Sequence, residues 1–107
     1  MIRTVLHAAV FTACTADTST GITASDITCP TDSTLTYASF GAAFLADNCL
    51  ACHTSKERPA LTTQGAVQAN KASINAVAVT SSQLPQDASL AIEERKLLGE
   101  WLACGAP

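Results

Sequence analysis

Three stretches of the chain repeat their apolar residues at the spacing of a helix. Over 37–52, Phe40, Phe44 and Leu45 fall on one side, at the three- to four-residue intervals that line up side chains on a helical face. Over 63–77, an alanine-rich stretch carries Val67, Ile74 and Val77 towards one side. Over 90–104, Leu97, Leu98, Trp101 and Leu102 form an apolar stripe. Pro85 cannot lie inside this third helix, and Ser89 is placed to cap its start. Glu93 and Glu94 fall in its first turns, where the helix dipole favours negative charge, and Gly105 follows as a stop. No stretch alternates polar and apolar residues as a half-buried strand does, and no internal repeat is present. The pattern predicts an all-α fold of about three helices.

The segments outside these helices divide the chain. Residues 15–28 are rich in Thr, Ser, Asp and Ala with no apolar period, so 14–28 reads as a flexible linker and 29–107 as the folded domain. Residues 1–13 hold one Arg, at position 3, then an apolar run over 5–11 broken by His7. About 20 apolar residues are needed to cross a bilayer, so this is a short secretion signal rather than a span. The Phe11-Thr12-Ala13-Cys14 stretch resembles a bacterial lipoprotein processing site. That resemblance implies cleavage before Cys14, a lipid on its thiol, a membrane tether and a periplasmic or otherwise exported protein. A misassigned start or a disordered tail is the competing reading of the same residues.

A chain of 107 residues suits one domain, and a domain so small has a marginal core of its own. Aromatic residues make up only 5%, and the five cysteines suggest covalent help from disulfides, a metal or an attached cofactor. The net charge of −3 and six Lys and Arg provide no basic patch, which argues against nucleic-acid binding. A mildly acidic surface suits a basic redox partner, but that partner's identity is not encoded.

The chemistry concentrates in Cys49-Leu50-Ala51-Cys52-His53. Cysteines at i and i+3 share one side of a helical turn. That separation lets two thiols add to the two vinyl groups of one haem, and the following histidine is then carried beneath the porphyrin, where it can bind iron. Three other readings of the pentapeptide stand beside this one. A thioredoxin-like redox pair needs a βαβ setting that the helices do not offer. A zinc site needs a fourth ligand, for which Cys29 or Cys104 would serve. A plain disulfide across Cys49 and Cys52 is the third. If Cys14 is lipidated and the pentapeptide holds haem, Cys29 and Cys104 remain as a pair. Their bridge would close a long loop worth roughly 4 kcal/mol in the chain-entropy treatment.

With these residues in view, 29–107 resembles a small class I c-type cytochrome domain of exported bacterial proteins. Gly41 and Leu45, eight and four residues before Cys49, resemble the small and bulky residues by which the N-terminal helix of that family crosses the C-terminal one. Leu98, Trp101 and Leu102 resemble the partner pattern, and the ending EERKLLGEWLACGAP resembles the close of many such domains. Arg58-Pro59-Ala60-Leu61 resembles the proline loop, which implies that the Pro59 carbonyl accepts the proton on the far nitrogen of the haem histidine, fixing its tautomer. The resemblance implies a cytochrome c-like fold around one covalent haem c, with Cys49, Cys52, His53, Pro59, Leu84 and Trp101 as cofactor-binding residues and His53 as iron ligand.

The chain departs from the family at the distal side. A methionine is usual before the last helix, where this chain has Ser82-Gln83-Leu84-Pro85. The one methionine is Met1 and the one other histidine is His7, both before Cys14. The expectation is a vacant or water-bound sixth position facing Leu84, with Gln83, Lys71 or a partner's residue as the other candidates. Loss of methionine should lower the reduction potential, since a Met/His pair raises it. Two functions follow: monohaem electron transfer, with the chain a carrier rather than an enzyme, or a gas-binding or sensor module using the open side. No Ser/His/Asp set, phosphate loop or paired-carboxylate site is present, and the adjacent Glu93 and Glu94 fall on different faces as solvated charges.

Overall fold

The structure, a computed structural model, describes residues 19–50, 53, 59–85 and 90–107. The expectations placed on 1–13, Cys14, Cys52, Arg58 and Ser89 lie outside these residues. Among the described residues there are four α-helices and no strand; one isolated antiparallel bridge joins Ser19 to Ser81.

Helix α1 (Ala42–Asn48) is entered through a π-helical turn, Tyr37–Gly41. Thr36 caps that turn: its hydroxyl accepts from the Ser39 amide at 3.0 Å, while the Ser39 hydroxyl accepts from the Thr36 amide at 2.9 Å. The predicted helix over 63–77 is two pieces, α2 (Gln64–Ala69) and α3 (Lys71–Ile74), and the second continues as a π-helical turn, Asn75–Val79. Asn70 divides them. Its side-chain amide donates to the Ala66 carbonyl at 2.7 Å, the competition with backbone bonding that makes Asn a poor residue inside a helix. Helix α4 (Ile92–Ala103) starts at Ala91, whose amide donates to the Glu94 carboxylate at 3.2 Å. It ends as expected at Gly105, whose φ of +96° lets its amide reach the Leu102 carbonyl and that of Ala106 reach Trp101.

The core gathers Phe44 and Leu45 of α1, Val67 of α2, Ile74 of α3 with Ala78 and Val79 beyond it, and Leu98, Trp101 and Leu102 of α4. Leu97, expected in the stripe of α4, is 41% exposed. The buried face instead runs through Arg95, Leu98, Gly99, Trp101 and Leu102. Trp101 is fully enclosed. Phe40 meets its ring edge-on at 5.8 Å between centroids, Tyr37 lies at 6.4 Å, and Phe40 stacks on Phe44 at 5.2 Å. Gly41 lies directly against the six-membered ring of Trp101, so that a Cβ there would overlap Cζ2 and Cη2. This is where α1 meets α4.

Two covalent or polar ties close the periphery. Cys29 and Cys104 form a disulfide across 75 residues of sequence, with Cα atoms 4.9 Å apart. The side-chain amides of Gln64 and Gln68 both donate to the Ala106 carbonyl, at 3.0 and 3.1 Å, fastening α2 to the end of α4.

The segment expected as linker is largely exposed over 19–28 but is anchored to the domain at Thr20 and Ile22. Thr20 donates from its amide to the Thr80 carbonyl at 3.1 Å and from its hydroxyl to the Val79 carbonyl at 2.6 Å, and Ile22 is buried. A short 3₁₀ turn, Ala24–Asp26, follows, in which the Asp26 carboxylate accepts from the amide and hydroxyl of Thr23. Isolated apolar residues in a polar stretch carry no period, which is why Ile22 and Ile27 escaped a pattern-based reading.

The helix contact has a direct test. Gly41→Ala should cost about 1–3 kcal/mol by overpacking against Trp101, although alanine favours helix by about 1 kcal/mol. Gly65→Ala in α2, where a Cβ meets nothing within 4 Å, should instead gain about 0.5–1 kcal/mol. Urea unfolding of the two variants measures the difference in sign.

Candidate cofactor-attachment site

The end of α1 delivers the pentapeptide. The Cys49 amide still donates to the Leu45 carbonyl at 2.8 Å, but its φ of −125° ends the helix there. The His53 amide donates back to the Cys49 carbonyl at 3.0 Å, so His53 sits one turn beyond Cys49. The His53 carbonyl accepts from the Leu61 amide at 2.8 Å. Both backbone groups of His53 are thereby fixed, one to each side of the chain's bend.

The imidazole is fixed as well. His53 Nδ1 lies 2.8 Å from the Pro59 carbonyl oxygen, the same two groups that the proline-loop resemblance pairs. A carbonyl can only accept, so Nδ1 carries the hydrogen in this bond. A neutral ring then has its lone pair on Nε2, the nitrogen available to a metal.

Cys49 is half-buried with an unbonded sulfur, and burial pushes its thiol up to about 11. At neutral pH it is therefore a thiol. Reactive redox cysteines sit in the opposite kind of environment, one that lowers the pKa. Because Cys29 and Cys104 are bonded to one another, neither is free to complete a zinc site with Cys49 and His53. Among the described residues no cluster of three or more His, Cys, Asp or Glu side chains forms; Cys52 lies outside them.

The other sequence-derived residues are arranged at a second locus. Leu84 is half-buried; its amide donates to the Val77 carbonyl at 2.9 Å, and its carbonyl accepts from Arg95 at 2.9 Å. Gln83 is exposed, and Lys71 opens α3 half-buried. Trp101 stands in the interior between helices, its indole N–H donating to the Pro107 carbonyl at 3.3 Å. Cys49, His53 and Pro59 are thus joined by hydrogen bonds at the end of α1, while Leu84 is joined to α4. Among the described residues no hydrogen bond links the two groups. Glu93 and Glu94 are exposed, as expected of solvated charges.

One residue of consequence was not singled out from the sequence. Arg95 is the one charged side chain buried among the described residues, 3% exposed. The available signal was its position three residues before Leu98, on the apolar face of α4.

No described helix is long and apolar enough to cross a membrane. Compared with known protein families, curated proteins and solved structures, the chain matches none.

The burial of Cys49 predicts slow alkylation. In polypeptide made without a haem-attachment system, Cys49 should react with iodoacetamide at pH 8 at roughly a tenth or less of the rate of an unhindered cysteine, and the rate should keep rising beyond pH 9. Peptide mapping by mass follows it; the rate of a free thiol would contradict the buried setting.

Proposed function

We propose that residues 29–107 form a monohaem c-type cytochrome domain, with the haem held by thioether bonds from Cys49 and Cys52 and its iron ligated by His53, and that it carries electrons for a partner protein. The observation that carries this reading is the His53–Pro59 hydrogen bond within a CxxCH pentapeptide. It orients the ring and leaves Nε2 as the ligating atom, and hydrogen bonding to the far nitrogen raises ligand basicity. The donor set also suits the group: Cys49 has an uncommitted sulfur, and the disulfide between Cys29 and Cys104 removes those two as partners for the motif cysteines.

Bound haem supplies a one-electron ferric–ferrous couple. The chain's own part is to hold His53 at its amide, carbonyl and Nδ1, so that little rearrangement accompanies a change of charge at Nε2. The apolar residues around α1 and α4 keep water from the interior. Export is supported by the disulfide, since such bonds persist in oxidising compartments. Tethering through Cys14 belongs to the same proposal, as does an acidic surface meeting a basic partner.

A second reading, a gas-binding or sensor module, is favoured by one specific feature. Residues 19–107 contain no methionine and no histidine besides His53, and the segment before α4 offers the apolar Leu84. The domain therefore lacks the usual second ligand within this span.

Spectroelectrochemistry of the haem-loaded protein separates the readings. Electron transfer predicts one reversible one-electron wave with little change of spin state. Leu84→Met should raise the midpoint potential and suppress the carbon monoxide response of the reduced protein. A large spin change with tight nitric oxide or carbon monoxide binding and poor electron exchange would favour the sensor. A low-spin spectrum in both oxidation states, with no carbon monoxide response, would contradict an open sixth position.

A further inference from the structure

We propose that Arg95 is the positioning residue of the 80–85 loop, holding Leu84 in its place and thereby setting access to the sixth position of the iron. The inference rests on the haem reading for its functional consequence, but the clamp itself stands on geometry. Arg95 Nη1 donates to the Ala78 carbonyl at 2.7 Å and to the Leu84 carbonyl at 2.9 Å, with the Ser81 carbonyl at 3.3 Å. One Nη1 carries two hydrogens, so the two short contacts take one each and Ser81 shares. These three carbonyls bracket the loop: Ala78 lies in the π-helical turn before it, Ser81 near its start and Leu84 towards its end. A single cation thus gathers backbone groups six residues apart around one point on α4.

The cost of this arrangement marks it as more than incidental. Burying a cation is expensive unless it is paired or fully hydrogen-bonded. Among the described residues no carboxylate forms an ion pair with Arg95; there the carbonyl dipoles of Ala78, Ser81 and Leu84 solvate its charge. A guanidinium remains charged at any pH the protein meets and presents its donors in a rigid fork, which a lysine ammonium does not. Apolar residues would fill the same space on α4, as Leu98 and Leu102 do on the same face, but would leave the Ala78 and Leu84 carbonyls without this donor. Other ties of the loop are the Leu84 amide to Val77, the Gln83 amide to the Ser81 hydroxyl, the Thr80 amide and hydroxyl to the Asn75 carbonyl, the Ser19–Ser81 bridge, and Thr20 bonded to Val79 and Thr80. Arg95 is the tie that connects the loop to the helix carrying Trp101, and hence to α1 and the pentapeptide.

The test uses Arg95→Gln and Arg95→Lys in haem-loaded protein, with two readouts. Hydrogen exchange reads the clamp without reference to haem chemistry. In Arg95→Gln the Leu84 amide should lose at least tenfold in protection while the Leu45-bonded Cys49 amide keeps its own. Carbon monoxide association with the reduced protein reads access to the iron; it should change at least tenfold in Arg95→Gln and lie closer to the parent in Arg95→Lys. Unchanged Leu84 protection overturns the clamp. Lost protection with unchanged carbon monoxide kinetics overturns the positioning role. Should the chain carry no haem, the exchange experiment on the unloaded protein still decides the clamp, and the failure then belongs to the cytochrome reading. Should Arg95→Gln not fold, Arg95→Met, which fills the space without the guanidinium donors, takes its place: unchanged Leu84 protection overturns the clamp, and lost protection with parent-like carbon monoxide kinetics overturns the positioning role.

Discussion

The close approach of Gly41 to the ring of Trp101 is the contact from which the other arrangements follow. A fully enclosed indole is the largest side chain of this core, and it reaches α1 only because position 41 has no Cβ. With that distance set, Phe40 meets the ring edge-on and Phe44 stacks behind it, so one face of α1 is committed to α4. The far end of α1 is then fixed relative to α4, and it is there that Cys49 and His53 emerge. The Cys29–Cys104 bond reinforces the same frame by closing a loop that contains α1 to α4. In a domain this small, removing unfolded-state freedom in that way is a substantial share of total stability.

The site inherits its order from this frame through the backbone. Cys49 is bonded into the last turn of α1, His53 is bonded to Cys49, and Leu61 and Pro59 return to His53 from the chain beyond. A histidine tied at its backbone amide, its carbonyl and Nδ1 is preorganised for a metal at Nε2, and preorganisation lowers the reorganisation that accompanies a change of charge. The second locus, at Leu84, is held by α4 through Arg95. The two loci are therefore positioned by the two helices that Trp101 joins.

Some of this was legible in the sequence and some was not, for physical reasons. The His53–Pro59 bond and the meeting of Gly41 with Trp101 were legible through the resemblance to the family, and the Cys29–Cys104 bond through the cysteines that the reading of the others left over. The end of α4 was readable because only glycine takes a φ near +96° without strain. The break at Asn70 was not, since it arises from one side-chain bond to Ala66 that competes with helix continuation. The anchoring of 19–28 was hidden because Thr20 works through backbone carbonyls, which leave no pattern in sequence. Arg95 was not singled out, because arginine is a residue type seldom buried; the convergence of three carbonyls makes its burial tolerable, and that convergence is a property of the folded loop. Leu97 erred the other way, an apolar residue left outside a stripe whose centre Arg95 shifts.

The central claim is that sulfur atoms of residues 49 and 52 join a porphyrin whose iron His53 ligates. Intact-mass analysis and a pyridine haemochrome spectrum of protein from cells competent in cytochrome maturation test it most directly. The expected result is a mass one haem above that of the processed polypeptide, retained after denaturation, with the haemochrome bands of a doubly thioether-linked group. Colourless protein of bare polypeptide mass from those cells would contradict it.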